Sequence, residues 1–303
     1  MICNLCPRFC NIDRSNRKGI CLSGNGIKVA AIVLHKGEEP PLVKGNGSGA
    51  IFFSGCPLRC QYCQNKEISH TEWGTTLNSK ELAYYMIKLE SLGASNINLV
   101  TPTHYTPWIL ESITLARQMG LDLPIMVNSG GYELPATMRQ WYVHASIYLI
   151  DLKYGDNYTG KILSNTPDYW DRARDVIIDI YEHVGPLVMD KEGRAKKGLM
   201  VRHLLLPGMF SNPFSVLEFL ASISSSIPVS IMSQYNPVFY SGNIQQMKRP
   251  VTEDEYRTVV DRALDLGFDT IFTQEVDSFE GYSPNFKSLR PFGDMPNLLS
   301  SLP

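Results

Sequence analysis

The sequence lacks the features that mark membrane proteins and nucleic-acid-binding proteins. Its 303 residues carry a formal net charge of −2, so no polybasic surface for nucleic acid or acidic lipid is expected. No apolar run approaches the roughly 18 residues that a membrane-spanning helix needs. The chain does not begin with a basic segment followed by an apolar stretch, so no signal peptide is expected. We therefore predict a cytoplasmic protein with neither nucleic acid nor membrane among its partners.

Cysteine is absent after Cys63, although the chain has seven cysteines. Disulfides are not expected, because a reducing compartment keeps thiols free. The spacing separates a group of four from a group of three: Cys3, Cys6, Cys10 and Cys21, then Cys56, Cys60 and Cys63. Four thiolates close a metal site, whereas three leave one position open. The sequence thus predicts one closed and one open metal site.

The composition changes near residue 48. Residues 1–48 are rich in glycine, proline and cysteine and only weakly periodic, which predicts an irregular four-cysteine metal-binding cap and connector. From residue 49 to 303, short apolar runs alternate with helix patterns, as in parallel βαβ units. We expect strands at seven places: 50–54, 96–100, 125–127, 146–150, 199–205, 229–233 and 270–273. The predicted fold class is α/β, a partial (β/α)6-type barrel with a C-terminal extension, whose chemistry lies at the C-terminal ends of the strands.

The three-cysteine loop follows the first of these strands and has the spacing C-x3-C-x2-C. Thiolates select soft metals and iron–sulfur clusters. A [4Fe–4S] cluster has four irons, so three cysteines leave one iron free to chelate an amine and a carboxylate. A structural zinc loop or three unrelated thiols are the alternative interpretations. A non-catalytic iron–sulfur electron carrier would need a fourth ligand, and a thiol oxidoreductase using Cys60 and Cys63 would leave Cys56 unexplained.

With the aromatic Tyr62 just before Cys63, this loop resembles the signature of the radical S-adenosylmethionine (SAM) superfamily, and Tyr62 is a candidate SAM-binding residue. Residues 50–240 resemble the activating enzymes of glycyl radical enzymes, especially the pyruvate formate-lyase activating enzyme family and its uncharacterised relatives. The resemblance implies reductive cleavage of SAM at a [4Fe–4S] cluster and hydrogen abstraction through a 5′-deoxyadenosyl radical. It also implies an electron donor such as flavodoxin or ferredoxin. The implied substrate is either a glycyl radical enzyme or a different peptide or small molecule.

The resemblance further implies which side chains bind SAM. Asp151 and Lys153 match the Asp-Leu-Lys of the activating enzymes, and strand alternation places both on one face. Arg202 matches an arginine in the fifth strand of the family, where it contacts SAM. Gln234 and Tyr235 follow the sixth predicted strand, where the family carries a polar SAM contact and where an aromatic ring would pack on adenine.

Two turns depart from the pattern of the activating enzymes. Where the family carries a Gly-Gly-Glu-like turn for the SAM amine, this chain has Thr101 and Thr103. Asn128 and Ser129 stand in place of an Asn-Gly-containing turn. These four side chains are candidate SAM contacts, but the two threonines bring less charge than the family's glutamate. For this reason, activation of pyruvate formate-lyase itself is not predicted.

The cap and its connector carry further candidate groups. The four cap cysteines predict a second metal, either zinc or an auxiliary [4Fe–4S] cluster, and their spacing does not separate the two. His35, Glu38 and Glu39 precede a glycine-rich turn. They are predicted either to line the mouth of the active site or to form a solvated loop.

Overall fold

The computed structural model describes residues 2–276, 284–293 and 295–301. Ten strands are present in this part of the chain: β1 Ile27–His35, β2 Ser48–Phe53, β3 Thr75–Leu77, β4 Ile97–Val100, β5 Ile125–Ser129, β6 Ile147–Asp151, β7 Val188–Met189, β8 Ala195–Leu204, β9 Val229–Met232 and β10 Ile271–Phe272. The seven strands predicted from the sequence are all present, with boundaries displaced by a few residues.

The strands form a sheet with the order β10-β9-β8-β6-β5-β4-β2-β1-β3, and the short β7 pairs with β8 outside this path. All strands from β10 to β2 in this order run parallel to their neighbours. Strands β1 and β3 extend the sheet in the antiparallel sense. The structure therefore confirms an α/β fold with a large, mostly parallel sheet.

Helices connect the parallel strands: α1 Lys66–Ser69, α2 Ser79–Ser91, α3 Thr106–Gln118, α4 Pro135–Met138, α5 Asn157–Ser164, α6 Tyr169–Val184, α7 Pro213–Ile223 and α8 Glu253–Asp265. Helices α2 and α8 begin with capping boxes. The side chains of Asn78 and Thr252 accept from the backbone N–H groups of Glu81 and Glu255, and the side chains of these glutamates accept from the backbone N–H groups of Asn78 and Thr252. Among the described residues, no helix is both long and apolar enough to cross a membrane.

Strand alternation separates two apolar regions. On β8, Val201 belongs to the core between sheet and helices, whereas Met200 faces the interior of the open barrel. The half of this interior near the N-terminal ends of the strands is filled by Leu42, Met126, Ile147, Leu149, Ala195 and Met200. The other half, at the carboxyl ends, holds a cavity.

The prediction of irregular structure is wrong for one part of residues 1–48. Strand β1 pairs with β2 on one side and β3 on the other, and six of its nine residues are buried. Its apolar run from Val29 to Leu34 has no alternation of polar and apolar residues to mark it as a strand. That residues 1–48 form a cap domain of their own stays a prediction.

After β1 the chain turns toward the interior of the open barrel over residues 36–42, called the inner segment, although Lys36, Gly37 and Pro40 remain exposed. Leu42 ends it fully buried, with its backbone oxygen accepting from Ser95 Oγ and Asn96 Nδ2, both at 2.8 Å. Residues 37–40 of this segment line the cavity. The alternative of a solvated loop is therefore wrong for Glu38 and Glu39, which are buried.

Candidate active site

A cavity of about 430 Å³ lies at the C-terminal ends of the parallel strands. This volume is within the usual range for a small-molecule site. The cysteines of the loop Gly55–Cys63 line it together with strand-end residues and the inner segment. The location is the one where parallel α/β folds assemble their chemistry.

Cys56, Cys60 and Cys63 all line this cavity. Two serines support their thiols: Ser164 Oγ donates to Cys60 Sγ at 3.1 Å, and Ser69 Oγ donates to Cys63 Sγ at 3.3 Å. Burial, followed by the neighbouring Cys60, raises the pKa of Cys56 to about 12. A thiol with a raised pKa ionises readily only beside a positively charged group, such as a metal. Three soft sulfur donors around one space have the chemistry that an iron–sulfur cluster needs.

Tyr62 also lines the cavity and is almost completely buried. Its ring lies 6.3 Å from that of Tyr154 and 5.9 Å from that of Tyr235, measured between centroids. These aromatic contacts fix the backbone between the second and third cysteines of the loop.

Asp151 and Lys153 form an ion pair at the end of β6, with Lys153 Nζ donating to Asp151 Oδ2 at 2.7 Å. Burial opposes the charge on Lys153, but Asp151 and then Cys60 outweigh it and raise the pKa of Lys153. The phenolic oxygen of Tyr169 accepts from the backbone N–H of Lys153 at 2.7 Å, which holds this strand end. Both side chains line the cavity, and their contact with SAM stays a prediction.

Arg202 lines the cavity as well, and its guanidinium is bound by two carboxylates of the inner segment. Its Nε donates to Glu39 Oε1 at 2.8 Å and its Nη2 to Glu39 Oε2 at 2.5 Å and to Glu38 Oε2. Asn98 Nδ2 donates to Glu38 Oε1 at 2.8 Å. Burial opposes the ionisation of Glu38, but Arg202 and His35 outweigh it and lower the pKa of Glu38. Two carboxylates thus share one guanidinium, and contact between Arg202 and SAM stays a prediction.

The remaining candidates divide into two sets. Thr101, Asn128, Ser129 and Gln234 line the cavity, as the resemblance implies. Thr103 and Tyr235 lie outside its lining and are buried elsewhere. The hydroxyl of Tyr235 donates to the backbone oxygen of Met247 at 2.6 Å. The placement of these two side chains does not support their predicted contact with SAM.

Several residues that shape the site were missed from the sequence. Gln274 follows β10 and donates to Gln234 at 3.3 Å, a position that the strand pattern could have indicated. Phe292 closes the cavity against His35, with ring centroids 4.7 Å apart. No pattern marks Phe292, because it belongs to the C-terminal extension.

Glu133 is a buried carboxylate just behind the cavity wall. Its Oε1 accepts from Ser129 Oγ at 2.8 Å, and it lies beside Thr103. Burial raises the pKa of Glu133 to about 7. It is also within electrostatic reach of Cys6, so this carboxylate lies between the cavity wall and the cap.

The cap packs against the loop that carries the three cysteines. Arg8 donates to the backbone oxygens of Pro57 at 2.8 Å and Ser164 at 2.9 Å. Three of the four cap cysteines are buried, and Cys10 is partly exposed. Within the described ranges, no group of three or more His, Cys, Asp or Glu residues is arranged around a single metal ion.

Comparison with known proteins places the three-cysteine loop within a recognised domain. Residues 43–163 match the family described as a 4Fe-4S single cluster domain. This range contains the three loop cysteines and the Asp151–Lys153 pair.

Two curated proteins align with most of the chain. It is 27% identical over 278 residues to an uncharacterized protein of Methanocaldococcus jannaschii, covering 89% of this chain and 76% of that protein. It is 22% identical over 200 residues to the pyruvate formate-lyase-activating enzyme of Clostridium pasteurianum, covering 64% of this chain and 76% of that enzyme.

A solved structure, a domain of a pyruvate-formate lyase-activating enzyme from Bacteroides vulgatus, has a TM-score of 0.44 and 14% identity, and covers 60% of this chain and 100% of that domain. The domain match over residues 43–163 and the similarity to a pyruvate formate-lyase-activating enzyme are together consistent with the radical SAM superfamily.

Proposed function

We propose that the protein is a radical SAM enzyme with a [4Fe–4S] cluster on Cys56, Cys60 and Cys63. When bound, the cluster and SAM supply the chemistry: one electron breaks the sulfur–C5′ bond of SAM, and the 5′-deoxyadenosyl radical takes a hydrogen atom from the substrate. The observation that carries the proposal is that three cysteine thiols and the Asp151–Lys153 ion pair line one cavity. Homology to an activating enzyme supports it.

The charged side chains of the cavity match the polar groups of SAM. The ammonium of Lys153 would meet the carboxylate, and Asp151 would accept from the ribose hydroxyls. Since these two side chains already bind one another at 2.7 Å, each holds the other in a fixed rotamer before SAM arrives. Arg202 is held similarly by its two carboxylates.

Apolar side chains form part of the same lining. Phe52, Leu58, Tyr62 and Met232 all line the cavity, and Leu58 and Tyr62 belong to the cysteine loop itself. Apolar side chains around the reacting groups would limit side reactions of reactive intermediates. The chain thus provides ligands, orientation and shielding, while the cofactors provide the bond cleavage.

The proposed cofactors are the [4Fe–4S] cluster, SAM and a second metal in the cap, zinc or an auxiliary [4Fe–4S] cluster. The proposed electron donor is a flavodoxin or ferredoxin. The substrate is a glycyl radical enzyme or, because the Gly-Gly-Glu-like turn is replaced around Thr101, a different peptide or a small molecule.

The test uses anaerobically reconstituted protein with about four irons on the catalytic loop. Incubation with SAM and dithionite is expected to yield 5′-deoxyadenosine, measured by liquid chromatography. Cys60→Ala is expected to abolish the product, and the exposed Thr258→Ala serves as a matched control that keeps it. Reconstituted wild-type protein that forms no more 5′-deoxyadenosine than Cys60→Ala would contradict the proposal.

A further inference from the structure

The four cysteine thiols of the cap lie near one another in pairs, although they do not surround a single point. A β-carbon on Gly19 would lie 3.4 Å from Cys21 Sγ and 3.5 Å from Cys10 Sγ. Cys6 is within electrostatic reach of Cys10 and Cys21, and Cys21 is within reach of Cys3. Four soft donors in a short segment without regular structure match the chemistry of a closed thiolate metal site.

A buried arginine adjoins these thiols. Arg14 is 2% exposed, and its guanidinium lies 4.9 Å from the ring centroid of Trp108 and within electrostatic reach of Cys21. Its Nη1 donates to the backbone oxygen of His104, whereas Nε and Nη2 find no hydrogen-bond acceptor in the described part of the chain. A buried cation with unsatisfied N–H groups is costly unless an anion accepts from it.

A metal centre on four thiolates would supply that anion. Zn²⁺ and a [4Fe–4S]²⁺ core both carry fewer positive charges than four thiolates carry negative ones, so either centre is an anion. Its sulfur atoms would be possible acceptors for Nε and Nη2 of Arg14. The cap therefore offers both the ligands of such a centre and its counter-charge.

The cap is also attached directly to the catalytic loop. The backbone oxygen of Cys21 lies 2.0 Å from where a β-carbon at Gly55 would be, so only glycine fits next to the first loop cysteine. Gly55 also has a φ of +81°, a region that glycine adopts readily. Arg8 binds backbone oxygens of Pro57 and Ser164. Displacement of the cap chain would therefore move the loop.

We propose that Cys3, Cys6, Cys10 and Cys21 hold a second metal centre, zinc or [4Fe–4S], with Arg14 as its buried counter-cation. The same centre fixes the position of the catalytic loop Gly55–Cys63. This inference deepens the proposed function and rests on it only for the role of that loop.

The first experiment isolates the cap by removing the catalytic thiols with Cys56→Ala/Cys60→Ala/Cys63→Ala. The anaerobically purified triple variant is expected to retain about one zinc, or about four irons with acid-labile sulfide, per chain. Either result supports the centre and identifies its metal. A folded triple variant, judged by circular dichroism, that holds neither metal overturns the proposal. No SAM turnover enters the measurement, so failure of the proposed function leaves this result unaffected.

The second experiment tests Arg14 in the full chain with its cysteines intact. Loss of a charge-assisted hydrogen bond should speed release of the cap metal to a chelator roughly 10- to 150-fold in Arg14→Gln. Arg17→Gln is the matched control, because Arg17 is an exposed arginine of the same cap. Equal release rates from wild type, Arg14→Gln and Arg17→Gln would remove Arg14 from the proposal.

The third experiment tests the link to the catalytic loop. In Cys6→Ser/Cys21→Ser, the iron held by the loop is expected to fall. Loop iron is the iron content of this variant minus that of the same variant with Cys56, Cys60 and Cys63 also replaced by alanine. Arg8→Ala is expected to lower loop iron while the cap metal stays, with Arg17→Ala as its control. Loop iron that stays at the wild-type amount after the cap metal is lost shows that the cap does not position the loop.

Discussion

The cavity has two sides that the chain builds differently. The strand-end side carries side chains such as Asn128 and Asp151 from the carboxyl ends of parallel strands. The floor carries Glu38 and Glu39 from the inner segment, residues 36–42, which lies outside the sheet. On the first side, alternation along a strand decides which side chains face the cavity. On the floor, the packing of Leu42 in the barrel interior positions the segment that carries Glu38 and Glu39.

Charge balance also differs between the two sides. At the strand ends, Asp151 and Lys153 pair one to one. At the floor, Glu38 and Glu39 share the single guanidinium of Arg202. Removing Arg202 leaves Glu39 without its guanidinium and Glu38 with the His35 imidazole, 3.3 Å away, as its remaining basic neighbour. Removing one partner at the strand ends leaves one charge beside the cavity.

The largest effect is expected from Arg202→Ala. Because both buried carboxylates lose the guanidinium that they share, the free energy of unfolding should fall by about 3–5 kcal/mol, measured by urea denaturation. Arg262→Ala is the control, since Arg262 pairs with Glu218 on the surface and should cost less than about 1 kcal/mol. Similar losses of unfolding free energy in the two variants would show that the burial of Glu38 and Glu39 does not depend on Arg202.

Leu42→Ala tests whether the inner segment is anchored by packing. Leu42 is fully buried among the apolar side chains of the barrel interior, so the substitution should cost about 2–5 kcal/mol of unfolding free energy. Leu264→Ala, at a leucine that is 61% exposed, should change it by less than about 0.5 kcal/mol. A small effect of Leu42→Ala in urea denaturation would mean that other contacts hold the segment.

Asp151→Ala tests the strand-end side separately. Loss of a charge-assisted hydrogen bond should weaken SAM binding roughly 10- to 150-fold, measured by isothermal titration calorimetry. The iron content of the loop should stay unchanged, because the hydrogen-bond partner of the Asp151 carboxylate is Lys153 and not a cysteine of the loop. Asp261→Ala on the exposed face of α8 is the control. Unaltered SAM affinity in Asp151→Ala would remove this residue from the proposed SAM site.

The smallest expected effect concerns the outer face of β8, opposite Arg202. Burial lowers the pKa of His203 to about 4, against the raising effect of its hydrogen bond to the backbone oxygen of Leu152. The unfolded chain, with an ordinary pKa near 6.5, therefore binds more protons between about pH 6.5 and 4. The stability that neutral His203 provides is present above this window and is lost as the pH falls through it.

His203→Gln should therefore reduce the slope of stability against pH by up to about 1.4 kcal/mol per pH unit within this window. The measurement is urea denaturation at a series of pH values. His104 provides an internal reference, because burial lowers its pKa to about 4 as well and its contribution should remain in the variant. An unchanged slope would mean that His203 is not neutral in the folded protein.

The sequence predicted the features that depend on local patterns. The apolar runs predicted the positions of the seven parallel strands, and the cysteine spacing predicted the loop that lines the cavity. The direction of Tyr235 was not predictable, because the backbone no longer alternates after β9 ends and the hydroxyl turns to Met247. The contact between Glu39 and Arg202 joins residues 163 positions apart, so no local pattern contains it.

The shape of the cavity floor does not depend on the hydrogen bonds of the sheet, because the inner segment that forms the floor lies outside the sheet. The backbone pairing of the parallel strands runs from β2 to β10 through their own N–H and C=O groups, while the floor is a connection between β1 and β2. Connections tolerate substitutions and changes of length that strands do not. A change in residues 36–41 would therefore reshape the cavity floor while the pairing of the parallel strands and the cysteine loop stay as they are.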